Sequence, residues 1–234
     1  MQVGTLVGLW RYPVKSMAGE SMTQAEVGWY GIAGDRRWAF IRPHLERSGF
    51  PWLTLREVAD MGQFTPRLAD PAQPDKSKTL VRTPEDEEYD VTDPALAARL
   101  GDGVRVIKQD RGVFDSLPLS LISTSTVDGI GRLSGRPLEP ARFRPNLLVA
   151  PDTAAEEPFP EDGWLGTTLR IGGMRMRIDR RDPRCVITTM DPGTGQRDPR
   201  VLREIAQQRD NCAGVYGTTV TPGPVALGDA VIIE

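Results

Sequence analysis

The run TLRIGGMRMRI, residues 168–178, decides how the rest of the chain is read. Leu169, Ile171, Met174, Met176 and Ile178 alternate with polar residues on either side of a Gly-Gly pair. Strict alternation gives one apolar and one polar face to an extended strand, because successive side chains point to opposite sides. The IGG at 171–173 then marks a tight turn, and the whole run reads as an antiparallel hairpin.

Other segments have the same character. TLVGLWRYPV (5–14), RRWAFI (36–41), TLVRT (79–83), VRVIK (104–108), FRPNLLVA (143–150), CVITTM (185–190), GVYGTTV (214–220) and AVIIE (230–234) are short and rich in β-branched or aromatic residues. Gly, Pro, Asp or Ser bounds most of them, so each is expected to be a strand. Helices are expected to be few. Asp93-Pro94 gives an N-cap followed by Pro at the first helical position, with Gly101 closing that piece. STSTVDGIGRL (123–133) places Val127, Ile130 and Leu133 on one face, although Gly129 and Gly131 weaken it. Asp198-Pro199 opens PRVLREIAQQR, where Val201, Leu202 and Ile205 fit a helical period.

LADPAQPDKSK (68–78) reads as a surface loop, and the acidic PDTAAEEPFPEDG (151–163) as an insertion. A strand ends near residue 110 and a polar turn follows, so the expected division is 1–110 and 111–234. The expected fold class is mostly β (α+β), with two β-barrel-like domains and a few short helices.

Bulk composition narrows the function. The chain has 234 residues, a net charge of -3, two cysteines and one histidine. The charge argues against general nucleic-acid binding, which wants a basic excess. Two cysteines and His44 are too few for most zinc, haem or iron–sulfur schemes. The N-terminal segment shows no signal-peptide pattern and no run approaches a membrane span, so a cytoplasmic location with free thiols is expected.

Cys185 stands in RRDPRCVITTMDPGTG (180–195), after Arg180, Arg181 and Arg184. A free cysteine opening a strand is often simply buried. Nearby cations also favour a thiolate, which is either a nucleophile or a single protein ligand to a metal whose other ligands come from a cofactor. In YPVKSMAGE (12–20), Lys15 and Ser16 are either a solvated turn or a site for a phosphate or carboxylate. Arg36, Arg142 and Arg144 are candidates for an anionic ligand, and Asn146 offers an amide to a heterocycle edge. FDSLPLSLISTS (114–125) adds hydroxyls, some of them expected helix caps. Asp191 either closes the turn DPGTG or projects a carboxylate beside Cys185.

Taken in order, YPVKS, GDRRWAF, FRPN, RCVITTMDPGTG, AGVYG and VALGD resemble the MOSC superfamily with its N-terminal β-barrel companion domain. The layout is similar to that of the mitochondrial amidoxime reducing components and YcbX-type reductases, and more distantly to molybdenum cofactor sulfurases. The resemblance implies a C-terminal MOSC-type barrel and a molybdenum–molybdopterin cofactor (Moco) held between the two domains. It implies that Cys185 is the metal ligand and that Lys15, Ser16, Arg36, Asp115, Ser116, Arg144, Asn146, Arg184 and Tyr216 bind the cofactor. Asp191 is implied as a supporting catalytic carboxylate. The implied activity is reduction of N-hydroxylated or related N-oxygenated small molecules. Electrons would come from a separate ferredoxin- or flavoprotein-type donor, since no cysteine cluster for an iron–sulfur centre is present. No nucleic-acid or membrane partner is expected. Pro183 departs from relatives, which often carry Ser or a second Cys just before the RC pair. A second implied reading is a carrier that delivers the cofactor or its sulfur without turnover, and a third is a plain reactive thiol.

Overall fold

The structure, a computed structural model, describes residues 1–45, 47–152 and 158–234. The N-terminal half runs β1 (Gln2–Arg11), β2 (Glu20–Ser21), β3 (Gln24–Gly28), β4 (Gly31–Ile32) and β5 (Trp38–Ile41). A 3₁₀ turn at Ala59–Gln63 leads into β6 (Thr65–Leu68), β7 (Thr79–Arg82), β8 (Glu88–Asp90), α1 (Pro94–Leu100) and β9 (Arg105–Lys108). The C-terminal half runs β10 (Leu119–Ser123), α2 (Thr124–Ser134), β11 (Leu147–Pro151), β12 (Thr168–Ile171), β13 (Met174–Pro183), α3 (Pro199–Gln208), β14 (Cys212–Thr221), β15 (Gly223–Ala226) and β16 (Ala230–Ile233). Three further 3₁₀ turns lie at Pro140–Phe143, Pro160–Trp164 and Val186–Thr189.

The hairpin expected at 168–178 forms, with Ile171 opposite Met174 and Leu169 opposite Met176. Gly172 takes a positive φ of 54°, and a Cβ there would come within 2.8 Å of the Pro224 carbonyl, so glycine suits the turn. The hairpin belongs to a closed barrel of seven strands. Their order is β11-β10-β14-β13-β12-β16-β1, and β1 returns to pair with β11. Leu6, Leu121, Leu147, Leu169, Ile171, Met176, Val215 and Val231 fill the interior with no exposure. The alternation read from sequence is thus the inward and outward alternation of barrel staves. Although β1 opens the chain, it stands between β16 and β11, with Thr5 opposite both Ala230 and Ala150.

The N-terminal half pairs β5 with β9 and β6-β7-β8 in small sheets, while β3 pairs with β4 and with β15. Its core of Val14, Met17, Phe40, Leu53, Met61, Val81, Val91 and Leu96 also takes in Met190 from the C-terminal half. A third cluster, including Val127, Ile130, Phe143, Val201 and Ile205, lies under α2 and α3. The three expected helices form, and Asp93, Ser123 and Asp198 cap them through their side-chain oxygens.

Some expectations are corrected. CVITTM is no strand: residues Val186–Thr189 form a 3₁₀ turn that Cys185 caps. The Thr188 hydroxyl donates to the Cys185 carbonyl (2.9 Å) and the Thr189 hydroxyl to the Val186 carbonyl (2.7 Å), so these side chains wrap the backbone locally. FRPNLLVA is extended only from Leu147; Phe143 ends a 3₁₀ turn and Arg144 is left-handed, with φ 52°. The strands β2, β3, β4, β6, β8, β10 and β15 are additional; all but β10, a wholly buried barrel stave, are too short or too polar to show a pattern. The acidic stretch 151–163 lies partly outside the described residues, but Glu161 within it is fully buried. It accepts from the Ser123 amide and hydroxyl at the start of α2.

Candidate functional site

A cleft of about 280 Å³ opens where the two halves meet. Lys15 and Ser16 reach it from the chain after β1, and Arg36 from the turn before β5. Phe114 and Asp115 come from the β9–β10 connection, and Arg142, Arg144 and Asn146 from the turn before β11. Asp182, Arg184, Cys185 and Thr188 come from the end of β13 and the turn that follows, and Tyr216 from β14. Segments far apart in sequence meet here because β1 enters the barrel beside β11 and leaves it at this end.

Three of the cleft residues hold positive φ without being glycine: Ser16 (67°), Arg36 (49°) and Arg144 (52°). Such conformations cost of order 1–3 kcal/mol each and persist where the surroundings over-determine them. Here the surroundings are identifiable. Asp35 is fully buried and accepts from the Tyr12 amide (2.7 Å), from Asn146 Nδ2 (3.2 Å) and from the Arg36 guanidinium. Asn146, also fully buried, accepts from Arg36 (3.3 Å) and the Ser120 amide (3.2 Å). Its Nδ2 also donates to the Trp10 carbonyl (3.2 Å). Tyr12 donates through its hydroxyl to the Pro145 carbonyl (3.0 Å), and its ring carries Arg36 and Arg144 at 4.7 and 4.4 Å.

The electrostatics of the cleft are uneven. Burial lowers the Lys15 ammonium from its ordinary pKa, opposed by Asp115, which accepts from Nζ at 2.6 Å. Burial also acts to raise Asp115, but Lys15 together with Arg36 and Arg56 outweighs it and the carboxyl is lowered. Arg36 is charge-paired with Asp35. Arg144 is different: among the described residues no carboxylate lies within ion-pair distance, and its NH1 donates to the Met17 carbonyl (2.7 Å). Burial pushes it down to about 10. It is a half-buried cation on the cleft wall that lacks a counter-ion among the described residues.

Cys185 is half-buried on the same wall. A hydrogen bond with its side chain is the leading reason the Arg56 guanidinium is raised. Behind it, Arg184 is almost wholly buried and fixes the strand end. Its Nε donates to the Ala213 carbonyl (2.7 Å), its NH1 to the Phe143 carbonyl (2.8 Å), and its NH2 pairs with Asp182 (2.8 Å). Burial raises Asp182 to about 6, although Arg184, Tyr216 and Ser120 pull it back. Burial, then Asp182, pushes the Tyr216 phenol up to about 12.

The cleft therefore gathers Cys185, Lys15, Ser16, Arg36, Asp115, Arg144, Asn146, Arg184 and Tyr216. Ser116 lies beside it, bonded to Arg180. Asp191 does not line it. One Asp191 oxygen accepts from Gly193 and Thr194, and the other from Arg142 (2.8 Å), which holds the carbonyls of Thr188 and Thr189. The Asn146 amide, expected to be free for a ligand, has both donors and both lone pairs engaged within the protein. Sequence reasoning missed Tyr12, Asp35, Arg56 and Asp182. Asp35 and Asp182 each precede an arginine by one or two positions, and an acid that close to a candidate cation was the available signal. Arg56 had none. Among the described residues no three His, Cys, Asp or Glu side chains gather to hold a metal ion, and no helix is long and apolar enough to cross a membrane.

Comparison with known proteins accords with this arrangement. Mitochondrial amidoxime-reducing component 1 of Mus musculus is 23% identical over 99% of this chain and 83% of its own length. Molybdenum cofactor sulfurase of Drosophila grimshawi is 30% identical over 84% of this chain but only 29% of its own length. Among solved structures, the YuaD protein of Bacillus subtilis shares the fold, with a TM-score of 0.53 at 15% identity over 99% of this chain and 94% of that one. The family model for the MOSC N-terminal beta barrel domain matches residues 3–111, and that for the MOSC domain matches residues 108–232. With both models matched in tandem over a closed barrel and the half that packs on it, the chain belongs to the MOSC family.

Proposed function

We propose that the cleft binds a molybdenum–molybdopterin cofactor through Cys185, and that the chain uses it to reduce N-hydroxylated or related N-oxygenated compounds. The observation that carries this reading is Arg144, a half-buried cation with no counter-ion among the described residues, in the same cleft as the Cys185 thiol. A pterin phosphate answers the first, and a metal needing one more soft ligand answers the second. Lys15, Ser16, Arg36 and Arg144 would hold the anionic end. Bound there, the cofactor would supply two-electron redox chemistry at the metal.

The chain's own residues have distinct parts. Cys185 offers one thiolate, held in place by Arg184 and the 3₁₀ turn that follows. Arg56 would interact with the sulfur by a hydrogen bond, and its guanidinium stands 5.6 Å from the Phe50 ring centroid. Phe50, Phe114 and Leu117 give the cleft apolar walls that shield a substrate from water. Asn146 and Asp35 keep Arg36 and Tyr12 in register. Reducing an N–OH group to N–H consumes two electrons and two protons and releases water. A separate redox protein would supply the electrons, as the similarity to amidoxime-reducing components suggests.

Expression in cells able to make molybdopterin, followed by metal analysis, tests the reading. Wild type is expected to carry molybdenum near one equivalent, and Cys185→Ser to lose it along with turnover of amidoximes by an artificial reductant. Molybdenum-free wild type, or full turnover in Cys185→Ser, sinks the proposal. The sulfurase similarity favours a second reading, a carrier that passes on the cofactor or its sulfur. Tight molybdenum retention with no turnover across a panel of N-oxygenated substrates would select it.

A further inference from the structure

Most cations that line the cleft with Cys185 already have a carboxylate. Lys15 is paired with Asp115, Arg36 with Asp35, Arg142 with Asp191 and Arg184 with Asp182. Arg144 and Arg56 have no carboxylate within ion-pair distance among the described residues. Arg144 is half-buried and falls to the anionic end of the cofactor. Arg56 lines the same cleft but is exposed, so it stands at the mouth.

The turn that carries Arg56 is fixed although the side chain is exposed. Leu53 and Leu55, just before it, are buried in the N-terminal core. The Arg56 amide donates to the Thr54 hydroxyl (3.2 Å), and the Glu57 and Val58 amides donate to the Thr54 carbonyl (3.0 Å each). Glu57, the carboxylate next in sequence, is drawn away by other partners. It accepts from the Thr54 amide (3.0 Å) and hydroxyl (2.7 Å) and from Arg42 NH1 (3.1 Å). Arg42 NH2 donates to the Phe50 carbonyl (2.7 Å), so one arginine ties together the two stretches that bring Phe50 and Arg56 to the rim. The Phe50 ring centroid has the Arg56 guanidinium at 5.6 Å and the Lys15 ammonium at 5.9 Å. On its other side Arg56 is within hydrogen-bonding reach of the Cys185 side chain. The fold thus presents a guanidinium beside the thiol and keeps the adjacent acid occupied elsewhere.

We propose that Arg56 determines the specificity of the cleft and selects N-oxygenated substrates that bear a carboxylate, held by the guanidinium at the mouth with the N–O group towards Cys185. This rests on the reading of the cleft as a reductive site. A guanidinium meets a carboxylate with two parallel N–H···O bonds and opposite charge. A carboxamide of the same shape accepts through one oxygen and carries no charge. Phe50, Phe114 and Leu117 leave the space between the two ends for an apolar or aromatic body.

The test uses the full chain as purified from cells able to make molybdopterin. It is titrated calorimetrically with the meta and para isomers of carboxybenzamidoxime and with their carbamoyl analogues, which match them in shape without the charge. Wild type is expected to bind the better carboxylate isomer about tenfold more tightly than its carbamoyl analogue, the worth of one hydrogen bond to a charged group. The preference is expected to vanish in Arg56→Gln, to reverse in Arg56→Glu and to survive in part in Arg56→Lys. Because the side chain is exposed, each variant is expected to keep the wild-type melting temperature and molybdenum content. Should Arg56→Gln fail to fold, Arg56→Glu decides. Equal binding of the two analogues by wild type, no binding of either, or a preference that survives in Arg56→Gln overturns the proposal. Loss of molybdenum from Arg56→Gln gives the guanidinium to the cofactor and overturns it too. The reductive reading fails separately. An Arg56-dependent preference with no turnover by an artificial reductant defeats reduction and leaves the selection standing. Turnover of both analogues with equal KM defeats the selection and leaves reduction standing.

Discussion

Asp182 and Arg144 are both charged groups in the cleft wall that burial disfavours, and they answer it differently. Arg144 stays charged, with its pKa pushed down only to about 10. Asp182 shifts from its ordinary 3.8 to about 6 despite its ion pair with Arg184. The folded protein therefore binds that proton more tightly than the unfolded chain does. Stability is then lost as pH rises from 3.8 towards 6, and the loss is complete above it. A shift of about two units amounts to roughly 3 kcal/mol. Asp182→Asn has no proton to lose, so its unfolding free energy relative to wild type should climb by about that amount between about pH 4 and pH 7. Urea unfolding of the two proteins across that range measures it, and a pH-independent difference would show the account to be wrong. At this scale the sequence told only part of the story. Cys185, Lys15, Ser16, Arg36 and Arg144 could be picked out because unusual residue types recur at strand ends. Tyr12, Asp35 and Asp182 act by filling in behind those residues, and nothing local announces a supporting residue.

Among the elements, the 3₁₀ turn at Val186–Thr189 bears most on the site. Its β-branched residues suggest a strand, and they are held out of one by their own hydroxyls and by Arg142. No pattern within the segment discloses a partner that lies in a different turn. The helices were legible for the opposite reason: Asp93, Ser123 and Asp198 cap through bonds to residues two or three positions on. Arg142→Met should leave the Asp191 carboxylate without its closest cation and the two carbonyls without their donor. The expected cost is about 3 kcal/mol in urea unfolding, with Arg142→Lys recovering part of it. An Arg142→Met variant as stable as wild type would remove the turn's proposed anchor. Glu161 fastens α2 in a similar way, from a stretch that looked like an exposed acidic loop.

For the molecule as a whole, the barrel was legible from alternation in its staves, but its closure was not. That β1 pairs with both β11 and β16 is a fact about partners distant in sequence. A fragment of residues 111–234 lacks this stave and should leave two unpaired edges. It is expected to give a poorly dispersed amide spectrum, and a separate peptide of residues 1–17 should restore dispersion. A well-dispersed spectrum from the fragment alone would mean that the barrel closes without β1. The same stave sets a schedule for synthesis. Thr5 leaves the ribosome long before one of its partners, Ala230, near the last of the matched residues. Until that partner emerges, β1 must wait with its apolar side chains uncovered. Barrel closure then falls after translation of the whole matched region, at the slow pace of long-range pairing. During that interval the chain depends on holdase chaperones more than a protein of the same size built from neighbouring hairpins.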